Sequence, residues 1–281
     1  MIYFERLYIF QQHVVMYSPV QLALKYIRYW LTASNGRGHA VHSPFVFEFI
    51  TEVLNDDRCY YCFDTIEQLR ENLKLNNTEL LLEDYGAGSR VHASYSRKIA
   101  EIASSSLKPK KFAQLLFRMV NFYQPQNILE LGTSLGVTTA YLASANTNIP
   151  VTTMEGAKAV ASVAKENFRQ LQLGNIKLVE GNSDETLAPT ISSQTALIDF
   201  AFIDGNHRKE PTINYFEQLI LKTSERSILV FDDIHWSKEM EAAWAHIKTH
   251  ASVTLTIDLF YIGIVFFRKE HKVKQHFSIR F

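Results

Sequence analysis

Two acid-ended apolar runs carry the residues best suited to chemistry. Phe200-Ala-Phe-Ile-Asp204-Gly-Asn-His207 and Ile228-Leu-Val-Phe-Asp232-Asp233-Ile-His235-Trp236 each lead a buried strand into carboxylates. Adjacent parallel strands deliver their C-terminal ends to one crevice, so Asp204, Asp232 and Asp233 are expected to face a shared point. Close carboxylates repel one another unless cations or protons compensate, and an all-oxygen set suits a hard divalent ion such as Mg²⁺. The alternative is that Asp232 or Asp233 caps the following helix while Asp204 only shapes the pocket. His207 adds an imidazole, a side chain that titrates near neutral pH and can accept a proton.

A second stretch points to a nucleotide cofactor. Asn127-Ile-Leu-Glu130-Leu-Gly132-Thr-Ser-Leu-Gly136-Val-Thr138-Thr reads as a buried strand entering a glycine turn that opens a helix. The next apolar run, Val151-Thr-Thr-Met-Glu155, ends in an acid where a doubly wound sheet places a partner for ribose hydroxyls. A dinucleotide fingerprint needs three glycines and this turn has two, which disfavours a nicotinamide site. Leu80-Leu-Leu-Glu-Asp84-Tyr-Gly86-Ala-Gly88-Ser89 imitates the pattern, but no apolar strand ending in an acid follows it. That segment is read as a turn near the site's mouth, with Arg90 and Arg97 either meeting an anionic substrate or simply solvated.

The elements that must position these residues change character near residue 125. Helix-like pieces come first, at Val20 to Ala33, Phe45 to Leu54 after Ser43-Pro44, and Thr65 to Leu75. From Ile128 onward strands and helices alternate, as in a parallel sheet covered by helices on both faces. Val253 to Asp258 and Tyr261 to Arg268 are joined by too few residues for a crossover helix, so they are expected to pair antiparallel. The expected architecture is α/β: a Rossmann-like, doubly wound sheet (112–281) behind an N-terminal helical extension or cap (1–111).

A mostly parallel sheet closed by such a hairpin, with these motifs in order, resembles the class I methyltransferases that use S-adenosyl-L-methionine. The resemblance covers roughly Phe112 to Arg268 and implies a seventh strand inserted antiparallel at the sheet edge. It assigns cofactor contacts to Glu130 (ammonium), Gly132 and Gly136 (close backbone approach), Thr138 (hydroxyl at the helix end) and Glu155 (ribose). Ser183, in Glu180-Gly181-Asn182-Ser183-Asp184, falls on the adenine-lining position. The acid-ended strands further resemble the metal-dependent O-methyltransferases of catechol, caffeoyl-coenzyme A and macrocin type, whose metal positions match Asp204, Asp232 and Asp233. The catechol-type pattern has asparagine and lysine where this chain has Asp233 and His207, and the extra charge favours a neutral hydroxyl over a catecholate. The implied reaction has an ion hold the acceptor hydroxyl while His207 takes its proton.

Composition narrows the remaining choices. The chain has 281 residues, 47% of them hydrophobic, and 29 basic against 29 acidic side chains, so no global field draws it to nucleic acid. Lys108-Pro-Lys-Lys111 and Arg268 to Lys274 keep an RNA or protein acceptor open as a second class, and a cofactor-binding module without turnover as a third. No apolar run reaches the roughly 20 residues that span a bilayer, and Met1-Ile-Tyr-Phe-Glu5-Arg6 lacks a secretory layout, so a cytoplasmic protein is expected, with Met16 an alternative start. Cys59 and Cys62 are read as reduced thiols. The loop Gly36-Arg-Gly-His39-Ala-Val-His42-Ser-Pro44-Phe45 is read as a lid, a substrate gate or a homodimer contact, and the expected acceptor is a small molecule.

Overall fold

The computed structural model describes residues 16–38, 41–83, 94–193 and 195–281. Residues 1–15, His39, and the Gly86, Gly88 and Arg90 of the imitating glycine segment lie outside them.

Helix α1 (Pro19–Thr32) starts at a capping box, with Ser18 accepting from the Gln21 N–H and proline at the first helical position. Helix α2 (Pro44–Phe49), capped by Ser43, runs on as one π-helical turn to Leu54. Helix α3 (Phe63–Leu75) is followed by an antiparallel pair, β1 (Glu79–Glu83) and β2 (Ser94–Lys98). The N-terminal region is therefore not helical throughout. The polar, weakly alternating Ser94-Tyr-Ser-Arg-Lys98 carries little strand signal of its own, and pairing with Glu79–Glu83 supplies it.

Helices α4 (Ile99–Ser106) and α5 (Lys110–Tyr123) lead into the alternating half. This runs β3 (Ile128–Leu131), α6 (Val137–Ala145), β4 (Val151–Glu155), α7 (Lys158–Gln170), β5 (Ile176–Glu180), α8 (Ser183–Ser193), β6 (Phe200–Ile203), α9 (Lys209–Ile220), β7 (Ile228–Asp232), α10 (Lys238–Thr249), β8 (Leu255–Asp258), β9 (Ile262–Phe266) and β10 (Gln275–Ser278). The sheet order is β10-β8-β9-β7-β6-β3-β4-β5. All its pairings are parallel except those of β9, which is antiparallel to both β7 and β8. The hairpin is as expected, but β9 lies inside the sheet instead of at its edge. The outer place goes to β10, which pairs parallel with β8.

Strands β3, β6, β7, β8 and β9 are buried along their whole length, as strands covered on both faces must be. One core joins Val46, Phe49, Ile50 and Val53 to α5 and to the inner face of β8 and β9. Another joins α3 and α4 to α5 and α6. The segment before α5 thus shares its apolar interior with the sheet half. Among the described residues, no helix is long and apolar enough to cross a membrane. Cys59 and Cys62 are free, and burial pushes the Cys62 thiol up to about 11, away from reactivity.

The Asp-Asp-Ile-His-Trp segment fastens α1 to this half. His235 sits between two carboxylates, Nδ1 3.1 Å from Glu241 and Nε2 2.8 Å from Asp258. Glu241 also accepts from Tyr17 and Lys25, and His235 stacks on Phe260, which Tyr26 and Tyr29 of α1 cover. Burial lowers the affinity of this imidazole for a proton, and the two carboxylates outweigh it, raising the pKa.

Candidate active site

The C-terminal ends of β3, β4, β6 and β7, with the loop after β5, open into one cavity of about 940 Å³. Parallel strands force this arrangement, because their carboxyl ends all finish on one side. Leu82 of β1, Arg97 of β2 and the Ser104–Pro109 segment complete its wall. Arg97 donates to Ser105 and lines this wall.

At one end stand Gly132, Ser134, Glu155, Gly156, Asn182 and Ser183. Glu155 holds the turn after β3, since its two oxygens accept from the backbone N–H groups of Ser134 (2.8 Å) and Ala157 (2.9 Å). Burial raises its pKa against these donors. Among the described residues the buried Ser134 hydroxyl has no partner, although it borders the cavity. A buried unpaired hydroxyl beside a carboxylate suits a ligand that carries hydroxyls of its own. Gly132 acts through contact: a Cβ there would lie 2.1 Å from the Asp204 carbonyl oxygen, at φ +98°. The glycine lets β3 close on β6, where the Asp204 N–H donates to Leu131.

Three expected cofactor residues stay outside the cavity wall. Gly136 has φ +82°, and a Cβ there would meet the Phe168 ring of α7 at 2.5 Å, so it serves helix packing. Thr138 is buried in α6. Glu130 is completely buried, with one oxygen accepting from the hydroxyls of Thr139 and Thr153 and the other unpaired.

At the other end are Asp204, His207, Asp232 and Asp233, with Phe112, Trp236 and Tyr261 as aromatic walls. Ligand atoms of Asp204, His207 and Asp232 all fall within 4.8 Å of one another. His207 Nε2 lies 3.5 Å from Asp204 Oδ1. Asp233, at φ +52°, stands outside that group, and neither it nor Asp232 caps α10, whose N-cap is Ser237.

The residue that sequence reading missed is Lys108. Its ammonium bonds Asp232 Oδ2 and lies 3.7 Å from Asp204 Oδ2. In the sequence Lys108 stands with Lys110 and Lys111 as a basic patch, yet in the fold it points inward to Asp232 and Lys111 lies 4.0 Å over the Phe281 ring. Burial pulls the Lys108 pKa down, but Asp204, Asp232 and Asp233 outweigh it, so the ammonium stays charged. One cation among three carboxylates, Asp232 buried and Asp204 and Asp233 half-buried, leaves a negative excess, and desolvation with mutual repulsion raises all three aspartates. No local signal marks Lys108 as internal; only the folded chain brings it to Asp232.

Known proteins resemble this chain in sequence and in fold. Residues 129–234 match a family described as a methyltransferase domain. The chain is 29% identical to a catechol O-methyltransferase of Niastella koreensis over 50% of its own length, and the match spans 64% of that relative, just under two thirds. It is 25% identical to the O-methyltransferase imqG of Aspergillus flavus, over 66% of this chain and 73% of that one. Among solved structures, the O-methyltransferase from Bacillus cereus in complex with SAH shares the fold (TM-score 0.52, 18% identity), covering 79% of this chain and 97% of that one. By sequence the chain is thus similar to the O-methyltransferases, with the match to a methyltransferase domain confined to residues 129–234.

Glu130 gives a test that separates framework from binding. Burial pushes its carboxyl up to about 8, so its contribution to stability is full below the ordinary carboxylate range and is lost as pH rises through about 8. Glu130→Gln has no such loss. Its melting temperature relative to wild type should climb by about 4 °C or more between pH 5 and pH 9, with cofactor affinity changed less than about threefold. A flat difference in thermal unfolding across that range, or a collapse of affinity, would return Glu130 to the ligand.

Proposed function

We propose that this chain is an S-adenosyl-L-methionine-dependent O-methyltransferase acting on a small hydroxylated molecule. The observation that carries the reading is that one cavity joins the Glu155–Ser134 end to the Asp204–His207–Lys108 end. The residues present fit the cofactor: Glu155 and the unpaired Ser134 hydroxyl would hold the ribose, and Asn182 and Ser183 would border the base. When bound, it supplies an electrophilic methyl group on a sulfonium.

The chain's own residues supply position and proton handling. Phe112, Trp236 and Tyr261 would clamp a planar or apolar acceptor, and the negative excess of the aspartates favours one that arrives neutral. His207, with its side chain about a third exposed, can reach the acceptor hydroxyl and take its proton, while Asp204 steadies the imidazole. Holding both reactants in one cleft contributes several kcal/mol, on the order of 7 to 11 in the best cases.

A second reading keeps the expected divalent ion, because Asp204, His207 and Asp232 bring three ligand atoms together. The Lys108 ammonium opposes it, lying where those carboxylate oxygens converge. The residues as arranged do not fit a divalent ion, and no step is assigned to one.

The proposal is tested by titrating the purified protein with S-adenosyl-L-methionine in a calorimeter, then following labelled methyl into a panel of hydroxylated small molecules. Micromolar binding and a labelled product are expected. A folded protein that binds no cofactor ends this reading, and label entering only RNA or protein transfers it to those acceptors.

A further inference from the structure

We propose that the Lys108 ammonium is the resident cation of the carboxylate site, standing where a divalent ion would stand, so that methyl transfer here proceeds without metal. The inference rests on the methyltransferase reading and deepens it. Its first support is placement: the ammonium bonds Asp232 and faces Asp204 at 3.7 Å, and its side chain is only 10% exposed. A Mg²⁺ ion bound to these same oxygens at about 2.1 Å would compete with that nitrogen for Asp232 Oδ2, and two cations crowded beside one carboxylate repel each other strongly.

The second support is independent of the carboxylates. Arg70, itself 4% exposed, donates from Nη1 to the Lys108 carbonyl oxygen at 2.8 Å, and its Nε is held by Glu67 at 3.1 Å. Pro109 follows and serves as the N-cap of α5. The backbone that carries Lys108 is therefore pinned from behind, and this lysine is not a surface side chain that has folded over by chance.

The chemistry suits an ammonium. Lys108 has three donors; two can serve Asp232 and Asp204, which leaves one for the acceptor oxygen. In the transfer step the acceptor O–H bond breaks and its proton passes to His207. The oxygen forms the new O–CH₃ bond, and the electrons of the broken S–CH₃ bond return to sulfur. The third Lys108 donor stabilises the charge that develops on that oxygen. Its single positive charge also leaves the cluster negative overall, which keeps the preference for a neutral acceptor.

The test is Mn²⁺ binding, read by electron paramagnetic resonance on the full chain saturated with S-adenosyl-L-methionine. It compares wild type with Lys108→Met and Lys108→Arg. Wild type and Lys108→Arg are expected to take up no Mn²⁺ at about 1 mM, and Lys108→Met to bind it at least about tenfold more tightly. Wild type binding Mn²⁺ as tightly as Lys108→Met overturns the proposal, and so does uptake by wild type alone should the methionine variant fail to fold. Cofactor titration on the same samples keeps the two readings apart. Absence of cofactor binding removes the methyltransferase reading, whereas cofactor binding together with Mn²⁺ uptake by wild type removes only the role given to Lys108.

Discussion

Glu155→Ala is expected to lower the affinity for S-adenosyl-L-methionine by about 100-fold or more, the largest binding effect of any single change in the cavity. Hydrogen bonds to a charged acceptor contribute about 1.5 to 3 kcal/mol each, and a ribose offers two hydroxyls to this carboxylate. The side chain also organises its own surroundings, because the Ser134 and Ala157 N–H groups lose their acceptor when it is removed. Glu155→Gln separates charge from shape. It keeps one carbonyl oxygen and turns the other position into a donor that faces a backbone N–H, so an intermediate loss is expected. Calorimetric titration of the three proteins, each checked for native thermal unfolding, decides the matter. An alanine variant that binds within about threefold of wild type would move the ribose away from β4.

Glu155 was readable in the sequence for the same reason that much of the sheet was. A buried parallel strand announces itself as a short apolar run, and an acid at its end has nowhere to go except the crevice. Phe200–Ile203 and Ile228–Asp232 behave in the same way, which is why Asp204 and Asp232 converge as their spacing suggests. The hairpin was legible because a short link between two strands excludes a crossover. What stayed hidden depends on partners far away in the chain. Gln275–Ser278 is polar and becomes a strand only because Leu255–Asp258 offers a free edge. Helix α8 has a proline at position 189 inside it, and Leu187 and Ile191 are its only buried residues. Glycine types were visible, but their purposes were not: Gly132 yields to the Asp204 backbone, whereas Gly136 yields to Phe168. Lys108 is the sharpest case, because three lysines around a proline look like a solvated patch until Asp232 and Arg70 are brought beside the first of them.

His207→Ala is expected to lower turnover by about 10²- to 10³-fold while cofactor affinity changes by less than about threefold. General-base catalysis by a placed imidazole contributes about that much, and nothing else at this end of the cavity does the same work as well. Asp204 and Asp232 are tied to Lys108, and proton uptake by either would weaken the grip on that ammonium. Asp233 feels the charges of Asp232, Lys108 and His207, and burial with the Asp232 carboxylate raises its pKa. His207 alone combines partial exposure with an orienting carboxylate 3.5 Å away. The measurement is kcat and KM for the acceptor found with labelled methyl, beside cofactor titration of the same variant. Equal losses in turnover and in cofactor binding would assign His207 to holding ligand. A loss confined to the acceptor's KM would make it a wall of the acceptor pocket. Only a fall in kcat, with binding kept, is what a base that meets its substrate in the transition state must produce.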